Sequence, residues 1–255
     1  MRNPKPRGRA VQTTSPVGRL RTVYAVSVAL TLVILVAVAI FVYGDDATDN
    51  TAIATATMPP VRGSDIPMGK TDDGRYFLGN ADAPITVVEY ADFQCPGCAF
   101  YSNNLSSGFE KDYVQTGQVR LIYQDFPLAM HPNAVYSSIA ARCAGDQSIG
   151  AFWQYHDLLF INQAQWSELS AAAIKSQHLG YAKQLGLDEA AFTACYELPE
   201  SERTVRDFQK KSNALGLPGT PSFAIQGKVM DGSSAKSIDD MDALVRAAVE
   251  AELKK

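Results

Sequence analysis

The chain has 255 residues, with 23 basic and 27 acidic side chains for a net charge of −4, and four cysteines. Its charge is unevenly placed: residues 1–44 hold six basic residues and no acid, so the remainder sets 17 bases against 27 acids. A body this acidic lacks the basic face that nucleic acid requires, which excludes that class of partner.

Residues 1–21 form a basic arm. Thr22 to Tyr43 follow, 22 residues without a charge and dominated by Val, Ala, Leu and Ile. That length spans a bilayer as one helix. The basic arm before it and Asp45-Asp46 after it predict a cytoplasmic N-terminus and an extracytoplasmic body. A cleaved signal peptide is the alternative, but its apolar core runs only about 7–15 residues. Residues 44–70, rich in Ala, Thr, Asp, Pro and Gly, are expected to be a flexible linker. About 190 residues are left, enough for a single domain with an insertion. All four cysteines lie in this exported part, where disulfides persist.

A short strand is expected around Arg75 to Leu78, then a turn at Asn80 to Pro84. Ile85 to Phe93 is β-branched and aromatic and reads as a buried strand. Phe100, Tyr101, Leu105, Phe109 and Tyr113 then place an apolar stripe on a helix ending near Thr116-Gly117. A second strand is predicted from Val119 to Tyr123 and its neighbours. Residues 131–214 carry helical patterning throughout, with Asp188 as a cap. Gly216 to Pro221 breaks that pattern. Ser222 to Ile225 and Lys228 to Met230 read as a hairpin turning at Gln226-Gly227. A final amphipathic helix starts near Ile238.

Where the main strand meets its helix stands Cys95-Pro96-Gly97-Cys98. Two thiols separated by two residues at a helix start can close a small disulfide, and the helix dipole favours the first as a thiolate. This is a reversible two-electron switch. Cys95 is the candidate attacking thiolate and Cys98 the resolving thiol. A structural zinc site would need four ligands, and the usual second Cys-x-x-Cys is missing, so no metal is expected.

Val87 to Cys98, Gly219-Thr220-Pro221, and Cys143 to Gln147 with Phe152-Trp153 and Cys195 together resemble the DsbA-type thiol–disulfide oxidoreductases over residues 71–255. The resemblance implies an α/β thioredoxin-like fold with an inserted helical subdomain at about 131–214. It implies a cis peptide before Pro221, with Thr220 and Pro221 facing the dithiol and binding substrate. Pro96 and Gly97 tune the redox motif, and Glu89, six residues before Cys95, is a buried proton carrier behind Cys98. Cys143 and Cys195 are expected to form a structural disulfide; free thiols or a second exchange pair remain alternatives. His131, in the Phe126 to Pro132 segment, matches a recurring family feature without an assigned chemistry.

The same resemblance implies an oxidase acting on cysteines of exported, partly unfolded proteins. It would be recharged by a quinone-linked membrane oxidase of the DsbB or vitamin-K-epoxide-reductase type. No cofactor is called for. A disulfide reductase or isomerase is the alternative within this class, and a metal-binding or scaffolding module the alternative outside it.

Overall fold

The computed structural model describes residues 56–59 and 66–255, all within one compact unit, Ala52–Lys255. The expected arm, the apolar run 22–43 and most of the linker lie outside the described residues. Among the described residues no helix is long and apolar enough to cross a membrane.

A six-stranded sheet runs in the order β1-β2-β4-β3-β5-β6. β3 (Ile85–Ala91) and β4 (Val119–Asp125) pair in parallel at its centre. β2 (Tyr76–Leu78) joins β4, and β5 (Ser222–Ile225) joins β3, both antiparallel. β1 (Met68–Lys70) and β6 (Lys228–Val229) form the edges. Strands buried on both faces need near-continuous apolar sequence, and β3 has it: every residue but Thr86 is buried. Strand alternation puts Ile85, Val87, Glu89 and Ala91 on one face; three of these belong to the larger core. Val88 and Tyr90 join Ile122, Phe126 and Ala224 in a second apolar cluster on the other face. The hairpin between β5 and β6 turns at Gln226 and Gly227, both with positive φ (49° and 76°), the conformation that matches strand twist in a two-residue turn.

β1 corrects the expected extent of the linker. Met68–Lys70 pairs with Tyr76–Leu78, and Ile66 is buried. A three-residue strand centred on a glycine has no alternation to read. Gly69 is nevertheless required there, because a Cβ would lie 2.0 Å from the Phe77 ring.

The helix after Cys95 is also segmented where one continuous helix was expected. It comprises α1 (Pro96–Asn104), α2 (Ser106–Phe109) and a π turn over Glu110–Val114. The break falls at Leu105, whose φ of −117° departs from the regular helical value while its ψ of −37° keeps it. The wider turn then buries Glu110, Tyr113 and Val114 together, with the Phe109 and Tyr113 rings 5.1 Å apart.

The insertion is helical, as its periodicity indicates. It holds α3 (Ala134–Gln147), α4 (Ile149–Ile161), α5 (Gln163–Trp166), α6 (Ala171–Gln184), α7 (Glu189–Glu197) and α8 (Pro199–Ala214). Asp188 caps α7 by accepting from the Ala190 and Ala191 amides, each at 2.9 Å. Tyr76 of β2 stacks on Phe152 of α4 with centroids 3.8 Å apart, fastening insertion to sheet. α9 (Ile238–Leu253), capped by Ser237, returns to pack beside α1. The whole is a thioredoxin-like α/β fold with a helical insertion.

Candidate active site

The dithiol sits at the end of the central strand, where β3 hands over to α1. Cys95 is the N-cap of α1, with extended dihedrals, and Pro96 occupies the first helical position, where its missing N–H costs nothing. The Cys95 amide donates to the Asp92 carbonyl at 3.0 Å, fixing the turn. Cys95 keeps 8 % exposure and Cys98 none; both are free thiols.

The two sulfurs are electrostatically opposite. The Cys95 thiol is lowered from 9.0 to about 6, first by the hydrogen bond from the Cys98 thiol. Burial opposes this, while the Cys98 and Gly97 amides add to it. Cys98 is pushed well above 9.0, chiefly by burial, then by its bond to Cys95, the Cys95 charge and that of Glu89. The Asp92 backbone partly offsets that rise. One sulfur is thus a ready nucleophile and the other a protonated reserve.

Thr220 and Pro221 face this pair. Their peptide bond is cis, and Cys95 Sγ lies 3.2 Å from the Thr220 carbonyl oxygen, to which its protonated form donates. The gap between the loop and α1 is narrow: a Cβ on Gly97 would lie 3.3 Å from Pro221 Cδ and 3.2 Å from Ile238 Cδ1. Glu89 is buried at 5 % exposure on the face of β3 that carries the main core, and its charge reaches Cys98.

Several residues that sequence reasoning missed hold the turn. Asp92, wholly buried, accepts from the Gln94 and Leu128 amides, each at 2.7 Å. Its Oδ2 also meets His131 Nδ1 at 2.7 Å, which gives His131 a partner beside the site. Burial nevertheless raises the Asp92 carboxyl above its usual range. Gln94 accepts from the Asn133 amide and donates to the Ser167 carbonyl, both at 2.7 Å. Gln163 of the insertion donates to the carbonyls of Phe93 (2.7 Å) and Cys95 (3.0 Å). The insertion therefore clamps the backbone on which Cys95 sits. Only the position of Asp92 and Gln94 immediately before the dithiol signalled this in the sequence; Gln163 carried no signal.

Cys143 and Cys195 lie apart from this site. They form a disulfide joining α3 to α7, with Cα atoms 5.6 Å apart. His156 packs against the rings of Phe93, Tyr123, Trp153 and Phe160, with Nδ1 2.8 Å from Asp157 Oδ1. Among the described residues no group of three or more His, Cys, Asp or Glu side chains is arranged to hold a metal ion.

A family model described as thioredoxin matches residues 71–247. The antiporter NhaA 1 of Salinispora arenicola is 32 % identical over 207 residues, covering 76 % of this chain and 29 % of that protein. A Rickettsia felis protein, provisionally named a protein-disulfide oxidoreductase, is 29 % identical over 73 % of this chain and 64 % of its own length. The chain thus spans less than two thirds of either relative. The solved structure of oxidised BdbD from Bacillus subtilis overlaps 79 % of this chain and 98 % of that one, with a TM-score of 0.60 at 20 % identity. That likeness speaks for the fold. The chain belongs to the thioredoxin family.

Proposed function

We propose that this DsbA-type protein is an extracytoplasmic thiol:disulfide oxidoreductase, held to the membrane by residues 22–43, that oxidises cysteines of exported proteins. The reading rests above all on the paired sulfurs: a Cys95 thiol lowered to about 6 beside a buried, protonated Cys98, with Thr220-Pro221 against them. In the forward step a substrate thiolate attacks Cys95 Sγ, the Cys95–Cys98 bond breaks, and Cys98 leaves and takes up a proton. A second substrate thiolate attacks the substrate sulfur of that mixed disulfide, forming the product disulfide and releasing Cys95 as thiolate. Two electrons remain on the protein. A quinone-linked membrane oxidase of the DsbB or vitamin-K-epoxide-reductase type would remove them.

Stabilising the thiolate stabilises the reduced protein, and this favours the oxidase direction. The basic arm, the uncharged run and the placement of every cysteine beyond it support the proposed location. A reductase is the second reading, because the same geometry serves either direction. The redox equilibrium of Cys95–Cys98 against glutathione separates them. The oxidase reading predicts a potential well above that of thioredoxin, about −270 mV; a value at or below it assigns the reductase direction.

A further inference from the structure

Asp92 places a carboxylate with no exposure three residues before Cys95. Burial works against its charge, and an anion in such a place is stable only where donors surround it. Three donors surround this one. The Gln94 amide donates to Oδ1, the Leu128 amide to Oδ2, and His131 Nδ1 lies 2.7 Å from that same Oδ2. With both oxygens already accepting from amides, we assign the shared proton to Nδ1, which makes His131 the donor. The His131 amide also donates to the Leu128 carbonyl at 3.0 Å. Residues 128–131 thus form one closed turn that grips Asp92 Oδ2 at both ends.

Asp92 in turn holds the redox turn twice. Its side chain binds the Gln94 amide, and its carbonyl accepts from the Cys95 amide at 3.0 Å. These bonds set Cys95 as the N-cap of α1, where its sulfur faces the first free amides of the helix. The segment that brings in His131 reinforces the same place, because the Asn133 amide donates to Gln94 Oε1. Of the three donors to the carboxylate, only His131 is a side chain, so it is the one that substitution can remove.

We propose that His131 is a positioning residue for the dithiol: its Nδ1–H keeps the Asp92 carboxylate seated on the Gln94 amide, and the seated carboxylate holds Cys95 against the start of α1. The proposal rests on Cys95–Cys98 being the working pair. In this role His131 acts through Asp92 and gives no proton to either sulfur. Without the imidazole the carboxylate loses one of its three donors, takes up a proton more readily and loosens its hold on the turn. The Cys95 thiolate then loses part of what stabilises it, and so does the reduced protein.

The test follows iodoacetamide alkylation of Cys95 against pH in the reduced full-length protein, where the unaltered chain should show a midpoint of about 6. His131→Leu is expected to raise that midpoint by about one pH unit, so that alkylation at pH 6 slows roughly fivefold. The glutathione equilibrium at pH 7 should move by a similar factor toward the oxidised protein. His131→Asn, whose amide can place an N–H where Nδ1 stood, should restore most of both. Met130, the exposed neighbour, supplies the control: Met130→Ala should alter neither. A midpoint unmoved by His131→Leu, or an equal rise in His131→Asn or Met130→Ala, overturns the proposal. Should His131→Leu not fold, nitrogen NMR of the unaltered chain at pH 7 decides. A proton on His131 Nδ1 supports the proposal, and a bare Nδ1 overturns it. A wild-type protein without Cys95-dependent alkylation near pH 6 overturns the underlying assignment instead.

Discussion

Three residues apart on one helix start, Cys95 and Cys98 differ by exposure and hydrogen bonding enough to take opposite charge states. Their asymmetry gives a direct prediction. The lowered thiol is ionised above about pH 6, so roughly nine-tenths of Cys95 is thiolate at pH 7. Its alkylation rate in the reduced protein should fall as pH drops, with a midpoint near 6; a midpoint near 8.5, that of an ordinary thiol, contradicts the electrostatics described. The thiolate stabilises the reduced state at pH values above that midpoint, and the advantage fades as pH falls through it. The two cysteines and Thr220-Pro221 were legible in the sequence because motif and strand–helix context coincide there. Asp92, Gln94 and Gln163 were not, because their roles are hydrogen bonds across 36 to 73 residues of chain.

At the scale of elements, the insertion carries both the disulfide and the clamp on the dithiol turn. Its helices could be read from periodicity and caps. The π turn and β1 could not: one depends on packing of Glu110, Tyr113 and Val114, and the other is too short to show a pattern. His178 of α6 shows what the interior demands. It is fully buried, with Nε2 3.3 Å from Ser137 Oγ and Nδ1 3.1 Å from the Tyr196 hydroxyl. Burial lowers it from 6.5 to about 3, so it stays neutral in the fold. Below about pH 6.5 the unfolded imidazole binds a proton that the folded one refuses. Its share of stability is therefore complete above that pH and declines as pH falls toward 3. At pH 5 the loss should be about 2 kcal/mol. Urea unfolding at pH 7.5 and pH 5 should show the decline, and His178→Gln should remove that part of it; an equal decline in the variant contradicts the assignment.

For the molecule as a whole, sequence and fold address different parts of the chain. In the sequence, charge and hydropathy set an acidic body apart from a basic and then apolar N-terminal stretch, and in the fold the body places one dithiol at the end of a central strand. The fold class and its insertion were readable because the order of strands, helices and turn residues follows local chemistry. The most direct test of the account is to mix the oxidised full chain with a reduced, unfolded protein bearing two cysteines, and to count substrate disulfides formed. The account predicts about one substrate disulfide per chain, the stoichiometry of a single two-electron couple, and none from Cys95→Ser. Equal oxidation by Cys95→Ser, or none by the unaltered chain, would contradict it.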